Sequence, residues 1–219
     1  MSATKPLDPP PATAPDVQPD HAVVGVSDPA ASTALLVGLG FVVLDERRLD
    51  PQAAEALYGL GDLPVVREVA LAVPGAATGG VRLVGPLPVR PGRDDDPYRR
   101  GGHALDLYST DLDASLATST ALGAATGPLA DYDFGPVHLR QGMATGPDDL
   151  PLVFVEIAHR LPSVLDRRPD RLHSELHSVV WAVDDIDAAT AVWTDVVGLE
   201  LRSRFPITEP AVSAFMGLP

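Results

Sequence analysis

Residues 21–46 read HAVVGVSDPAASTALLVGLGFVVLDE, and the fold is decided here. Residues 22–26 are a short apolar run rich in β-branched side chains, which suits a buried strand. Asp28 stands where an N-cap carboxylate accepts the orphan amides of a following helix. Pro29 then takes the first helical position, where its missing N–H costs nothing. Gly40 ends the helix, because glycine tolerates the left-handed closing conformation. Residues 41–44 open a second strand.

The same grammar recurs twice. Residues 103–125 read HALDLYSTDLDASLATSTALGAA, and residues 177–204 read HSVVWAVDDIDAATAVWTDVVGLELRSR. Asp28 to Gly40 spans 12 positions, Asp111 to Gly123 spans 12, and Asp185 to Gly198 spans 13. Repetition at a fixed spacing marks a supersecondary unit used more than once. In the third copy Ile186, Ala189, Val192, Trp193 and Val196 fall at helical spacing and form one apolar stripe. Further strands follow the first two copies. Residues 68–73, Pro74-Gly75 and residues 80–84 read as strand, turn, strand, and residues 137–144 and 152–157 repeat the hairpin. A second strand is expected near residues 129–132 and at 199–202. The fold class is therefore α+β, a tandem of βαβββ modules.

The boundaries follow from punctuation. Residues 1–20 hold six prolines and few large apolar side chains, so they are expected to form a disordered tail. Module one takes residues 21–85, a proline- and charge-rich linker 86–101, module two 102–158, a second linker 159–176, and a partial module 177–219. Too little chain follows the third copy's second strand for another hairpin. The favoured expectation is a fragment of a longer, four-module polypeptide. The alternative is pairing with another subunit, as in a homodimer. An unpaired half-module would expose sheet edges and an apolar helix face.

Composition narrows the partners. With 30 acidic and 16 basic residues the net charge is -14, which repels phosphate backbones, so no nucleic-acid partner is expected. Anionic membranes are disfavoured for the same reason. The chain has no cysteine, which removes thiolate metal sites and cysteine nucleophiles. No secretory signal pattern opens the sequence, and a cytoplasmic protein is the default expectation. Gly79-Gly80 and Gly101-Gly102 are turn signals rather than phosphate loops. Asp94, Asp95 and Asp96 read as a solvated charge run in a linker.

The strand-opening histidines, the Asp-Leu-Asp-Ala-Ser start at 111–115 and the Asp-Ile-Asp-Ala-Ala start at 185–189 carry a likeness. With the closing Val-Gly-Leu-Glu-Leu at 197–201 and the acidic strand 153–157, they resemble the vicinal-oxygen-chelate superfamily. That superfamily includes glyoxalase I, extradiol dioxygenases, fosfomycin-resistance enzymes and bleomycin-resistance proteins. The resemblance covers about residues 21–204. It implies that two βαβββ modules pair into an open, barrel-like cup, with a third, incomplete module beside them. It also implies a divalent metal held by His21, His103 and Glu156, with a small oxygenated molecule as substrate. Two histidines and a carboxylate leave positions open for substrate and dioxygen on Fe(II), the expected ion. Mn(II), Zn(II) or Ni(II) would serve lyase or isomerase chemistry instead. Residues 81–84 offer no acidic ligand, which favours a three-ligand, dioxygenase-like site over a four-ligand one.

Register complicates that set. His21 lies seven positions before Asp28, whereas His103 and His177 lie eight before Asp111 and Asp185. A slip of one residue turns a strand side chain to the other face. Anchored on the aspartates, the inward positions are His21, Ala104 and Ser178, and Asp106 and Tyr108 share the pocket face with Ala104. Asp106 and Tyr108 are then the candidate catalytic acid and phenol. Plain alternatives stand beside each. His21 and His103 also read as surface histidines at strand starts, and Glu156 as the solvent face of a strand. His138 and His177 read as strand surface more readily than as ligands, His159 and His173 as loop residues, and Trp181 and Trp193 as core of the third module. Three functions remain open: a dioxygenase or lyase/isomerase metalloenzyme, a metal-free protein that binds or sequesters a small molecule, and an interaction protein that has lost its pocket.

Overall fold

In a computed structural model, residues 19–88, 100–134, 137–202, 204 and 210–215 are described. The expected tail therefore lies outside the described residues except for its last two, and so do residues 89–99 of the first linker, Asp94–Asp96 among them. The first repeat folds as β1 (His21–Gly25), α1 (Pro29–Gly38), β2 (Val42–Leu49), β3 (Val66–Ala72) and β4 (Gly80–Gly85). Its sheet has the order β1-β4-β3-β2, with β1 parallel to β4 and the other pairs antiparallel. An extra helix, α2 (Pro51–Tyr58), is inserted after β2. Asp50 caps it through the Ala53 N–H, and Gly59 closes it at φ 66°.

The second repeat gives β5 (Gly101–Ser109), α3 (Leu112–Ala121), β6 (Ala125–Thr126), β7 (Ala130–Phe134), β8 (Val137–Thr145) and β9 (Pro151–Ile157). The third adds a long strand, β10 (His173–Ala182), then α4 (Ile186–Ala191), a π-helical turn over Val192–Val196, and α5 (Pro210–Phe215). β10 joins the second repeat's sheet, whose order is β10-β5-β9-β8-β6, with β7 also on β8. The fold is thus α+β with two open sheets, as the repeats imply.

The caps are those read from sequence. Asp28, Asp111 and Asp185 each accept backbone N–H groups of the helix that follows. Gly40, Gly123 and Gly198 take φ of 101°, 89° and 82°. Sequence periodicity also sets what each strand buries. Val69, Leu71, Val81 and Leu83 of the first sheet meet Leu107, Leu152, Phe154 and Leu176 of the second in one core, with Leu35 and Leu36 of α1 and Leu112 of α3 among them. His173 bridges the repeats inside this core. Burial lowers its ring to about 4, so it is neutral. Its Nδ1–H then donates to the Leu39 carbonyl at 3.1 Å, and its Nε2 accepts from Ser115 Oγ at 3.0 Å.

Three expectations are corrected. His173 is a buried strand residue and not part of a loop, because β10 starts well inside the expected second linker. Residues 199–202 form no strand. Trp181 and Trp193 do meet edge to face at 6.0 Å, but they are 52% and 39% exposed and not core. The apolar stripe of the third helix is open, as an unpaired half-module implies, with Ile186 at 53% and Val196 at 80% exposure. Among the described residues no helix is long and apolar enough to cross a membrane.

Candidate functional site

Alternation along β5 sorts its side chains between two faces. Leu105 and Leu107 enter the core shared by the repeats, while Ala104 and Tyr108 belong to a second cluster on the opposite face of the larger sheet, the one expected to line the cup. Met143 of β8 and Val153 and Val155 of β9 line the same face, and Val212 and Phe215 of α5 pack onto it. Asp106 lies between Ala104 and Tyr108 on this cup face and is only 8% exposed.

β10 supplies the other half of the site. It pairs antiparallel with β5, Leu176 opposite Leu107 and Ser178 opposite Asp106, leaving His177 as an extra residue between them. This bulge breaks the alternation. Leu176 stays in the shared core, whereas His177 and the following Ser178 both reach the cup. The His177 ring stacks on Tyr108 with centroids 3.8 Å apart and planes 1° from parallel. Ser178 Oγ donates to Asp106 Oδ2 at 2.8 Å. The Leu161 N–H donates to the Tyr108 hydroxyl at 3.2 Å, leaving the phenol proton to be given elsewhere.

Two atoms of this cluster stand out electrostatically. Asp106 Oδ1 and His177 Nε2 are buried with no hydrogen-bond partner among the described residues. Burial pushes the Asp106 carboxyl up to about 7, against the hydrogen bond from Ser178. Burial also lowers His177 to about 4 and raises the Tyr108 phenol. The cup therefore offers a carboxyl poised near neutrality beside a neutral imidazole, a pair able to exchange a proton with a bound molecule.

A second buried acid makes the contrast plain. Glu68 on β3, 2% exposed, receives Arg47 Nε and Nη2 at 3.1 Å each, Arg82 Nη1 at 2.9 Å, and the Tyr58 hydroxyl. Burial alone would raise its carboxyl. The hydrogen bonds from Arg47 and Tyr58 and the guanidinium charges outweigh it, and the group is lowered. Glu68 is satisfied by its own neighbours; Asp106 is not.

The expected ligand set is divided between two clefts. His21 and His103 do come together, lining a cleft of about 490 Å³ with Val23, Pro151, Val179 and Trp181. Glu156 lines a different one, of about 560 Å³, with Arg140, His138 and Thr110. The cause is position along the strands: Tyr108 pairs with Val155, so Glu156 lies at the Ser109 end of β5, the opposite end from His103. There Glu156 accepts the Leu112 N–H at 2.8 Å and pairs with Arg140 at 3.1 Å, holding the start of α3. His21 pairs with Asp20 at 2.7 Å. Among the described residues no group of three or more potential ligands is placed to hold one ion, so this donor set does not fit a single metal. Asp106 and Tyr108, by contrast, share one face as their spacing implies, and Ser178 is inward as the aspartate register requires. His177, which the aspartate register sets outward, is turned inward by a bulge that leaves no mark in the sequence.

Solved structures set this geometry beside known proteins. A glyoxalase family protein from Bacillus cereus is 15% identical, covering 68% of this chain and 100% of its own, with a TM-score of 0.53. A Bacillus subtilis protein named as a dioxygenase is 14% identical over 84% of this chain, with a TM-score of 0.58. This chain has the vicinal-oxygen-chelate fold. It spans 55% of that Bacillus subtilis chain, about half its length. A glyoxalase family protein from Enterococcus faecalis is also similar, at 19% identity over 65% of this chain and 98% of its own, with a TM-score of 0.45. No protein-family model and no curated protein matches the sequence. One vicinal-oxygen-chelate fold hosts many chemistries, so the function has to be argued from the cup itself.

Proposed function

We propose that this chain binds a small oxygen-bearing molecule on the face of the second sheet where β5 and β10 pair, with Asp106, Tyr108, His177 and Ser178 as its polar contacts. The observation that carries this is the pair of buried, unpartnered atoms, Asp106 Oδ1 and His177 Nε2, in one cluster. Leaving such a group unsatisfied costs about 1–3 kcal/mol, which a ligand that bonds both would recover. The apolar walls of Ala104, Met143, Val153 and Val155 would take the rest of the molecule. The division of His21, His103 and Glu156 between two clefts favours this metal-free reading over the metalloenzyme one. In the same site Asp106 can take and return a ligand proton, which is the isomerase- or lyase-type version of the proposal.

A ligand screen by thermal shift, run on wild type beside Asp106→Ala, tests it. Compounds that stabilise wild type and leave the variant unmoved are expected. Elemental mass spectrometry on the same preparations supplies the opposing outcome. Near-stoichiometric iron, manganese, zinc or nickel that disappears in Glu156→Ala would restore the metalloenzyme reading in place of this one.

A further inference from the structure

The two sheets leave complementary gaps. β1 and β5 are the same strand of successive repeats, each parallel to the last strand of its own repeat, β4 or β9. β5 also takes β10, the first strand of the third repeat, along its other edge. Among the described residues β1 pairs only with β4, and β10 only with β5. Unpaired edges beside apolar surface invite another strand.

The surroundings of β1 fit a missing strand. Five consecutive residues, 21–25, line the cleft of about 490 Å³. Side chains on one face would alternate, so the unbroken run means that the cleft follows the strand's edge. In a parallel pair a strand bonds its neighbour through alternate residues. Asp20 accepts the Gly80 N–H at 3.0 Å and Val26 donates to the Val84 carbonyl at 2.9 Å, so the N–H and C=O of Val23 point to the vacant side. Val179 and Trp181 of β10 line the same cleft. Trp193 touches Trp181 and carries the apolar surface on to Ile186 and Val196, both exposed. β2, the other edge of the first sheet, is different. Asp45, Glu46, Arg47 and Arg48 lie exposed along it, and charge of that kind keeps an edge unpaired.

We propose that the chain forms a closed dimer in which β1 of each copy pairs with β10 of the other. A two-fold axis makes both contacts at once, because each copy brings the strand that its partner lacks. Each sheet then continues from β4 and β1 of one protomer into β10 and β5 of the partner. Val179, Trp181 and the stripe of the third helix are buried against their counterparts. A second copy is the occupant because β10 is already the strand that fills this place beside β5.

Sedimentation velocity between about 1 and 100 μM tests the dimer. In about 0.15 M salt the repulsion between two chains of charge -14 reaches only about 8 Å. Wild type is expected at twice 22.9 kDa. Val23→Pro removes an outward N–H and spares the β4 ladder. Trp181→Glu places a charge on an exposed position of the contact. Each should raise the dissociation constant at least about ten-fold while the protein stays folded. If Val23→Pro does not fold, Trp181→Glu decides alone. Val43→Lys, exposed on β2, should leave the dimer unchanged. A monomer throughout the range, as when a further module of a longer polypeptide takes the place, would overturn the proposal. So would a dimer that survives Trp181→Glu or is lost in Val43→Lys. Polymers that grow with concentration would overturn it too, since they mark contacts that do not close.

Discussion

Asp106, His177 and His173 pull the pH dependence of stability in opposite directions. The folded chain holds a proton on Asp106 up to about 7, whereas an unfolded aspartate releases it near 3.8, so stability falls as pH rises between those values. His177 and His173 stay neutral down to about 4 when folded, but take up a proton near 6.5 when unfolded, so each adds stability as pH rises from about 4 to 6.5. Asp106→Asn should therefore steepen the rise between about pH 4 and 6.5 and abolish the decline that continues toward pH 7. Melting temperatures across pH 4 to 8 read this directly, and an unchanged profile would mean that Asp106 is ionised in the fold. Glu68 behaves differently, since its carboxylate is held by Arg47 and Arg82. Glu68→Ala should lower stability by about 2–4 kcal/mol in urea unfolding, because it leaves two guanidinium groups facing a buried position.

At the scale of elements, the sequence was most legible where local chemistry acts alone. The three aspartate caps and the closing glycines were readable because each needs only its own turn of chain. Helix α2 carries the same signature of Asp50, Pro51 and Gly59, but its apolar face is too short for periodicity to mark it. The β10 bulge was not readable, since it comes from pairing with β5, seventy residues away in the chain, and from nothing near His177. The same limit applies to Glu156, which alternation placed on one of two faces without saying which. Caps of equal appearance should differ in value. Asp111→Ala should cost about 1 kcal/mol, since α3 is locked into the core by Leu112, while Asp185→Ala should leave global unfolding unchanged, since α4 has no buried residue. Gly79 is a further joint. It sits at φ 74° and accepts the Leu176 N–H through its carbonyl, and a Cβ there would run into the Leu176 carbonyl oxygen. Gly79→Ala is expected to lose about 1–3 kcal/mol in the same urea assay.

At the scale of the whole molecule, the repeat predicted the fold because three copies of one pattern leave few arrangements open. It did not predict which faces would meet. The first two repeats share a single core through their helix sides, so Leu107→Ala, at its centre, should destabilise the two sheets together by about 2–5 kcal/mol in one transition. Separate transitions for the two repeats would show that the shared core is weaker than its burial implies. The resemblance implies a cup shared by the first two repeats, whereas the Asp106 cluster lies on the other face of the second sheet and draws its residues from the second and third. That division has a consequence for how the protein comes into being. Synthesis runs from the N-terminus, so a growing chain has both complete repeats, Asp106 and Tyr108 before His177 and Ser178 have been added. The cluster cannot be assembled until β10 has emerged and paired, and a messenger interrupted after the second repeat would direct a product lacking half of its contacts.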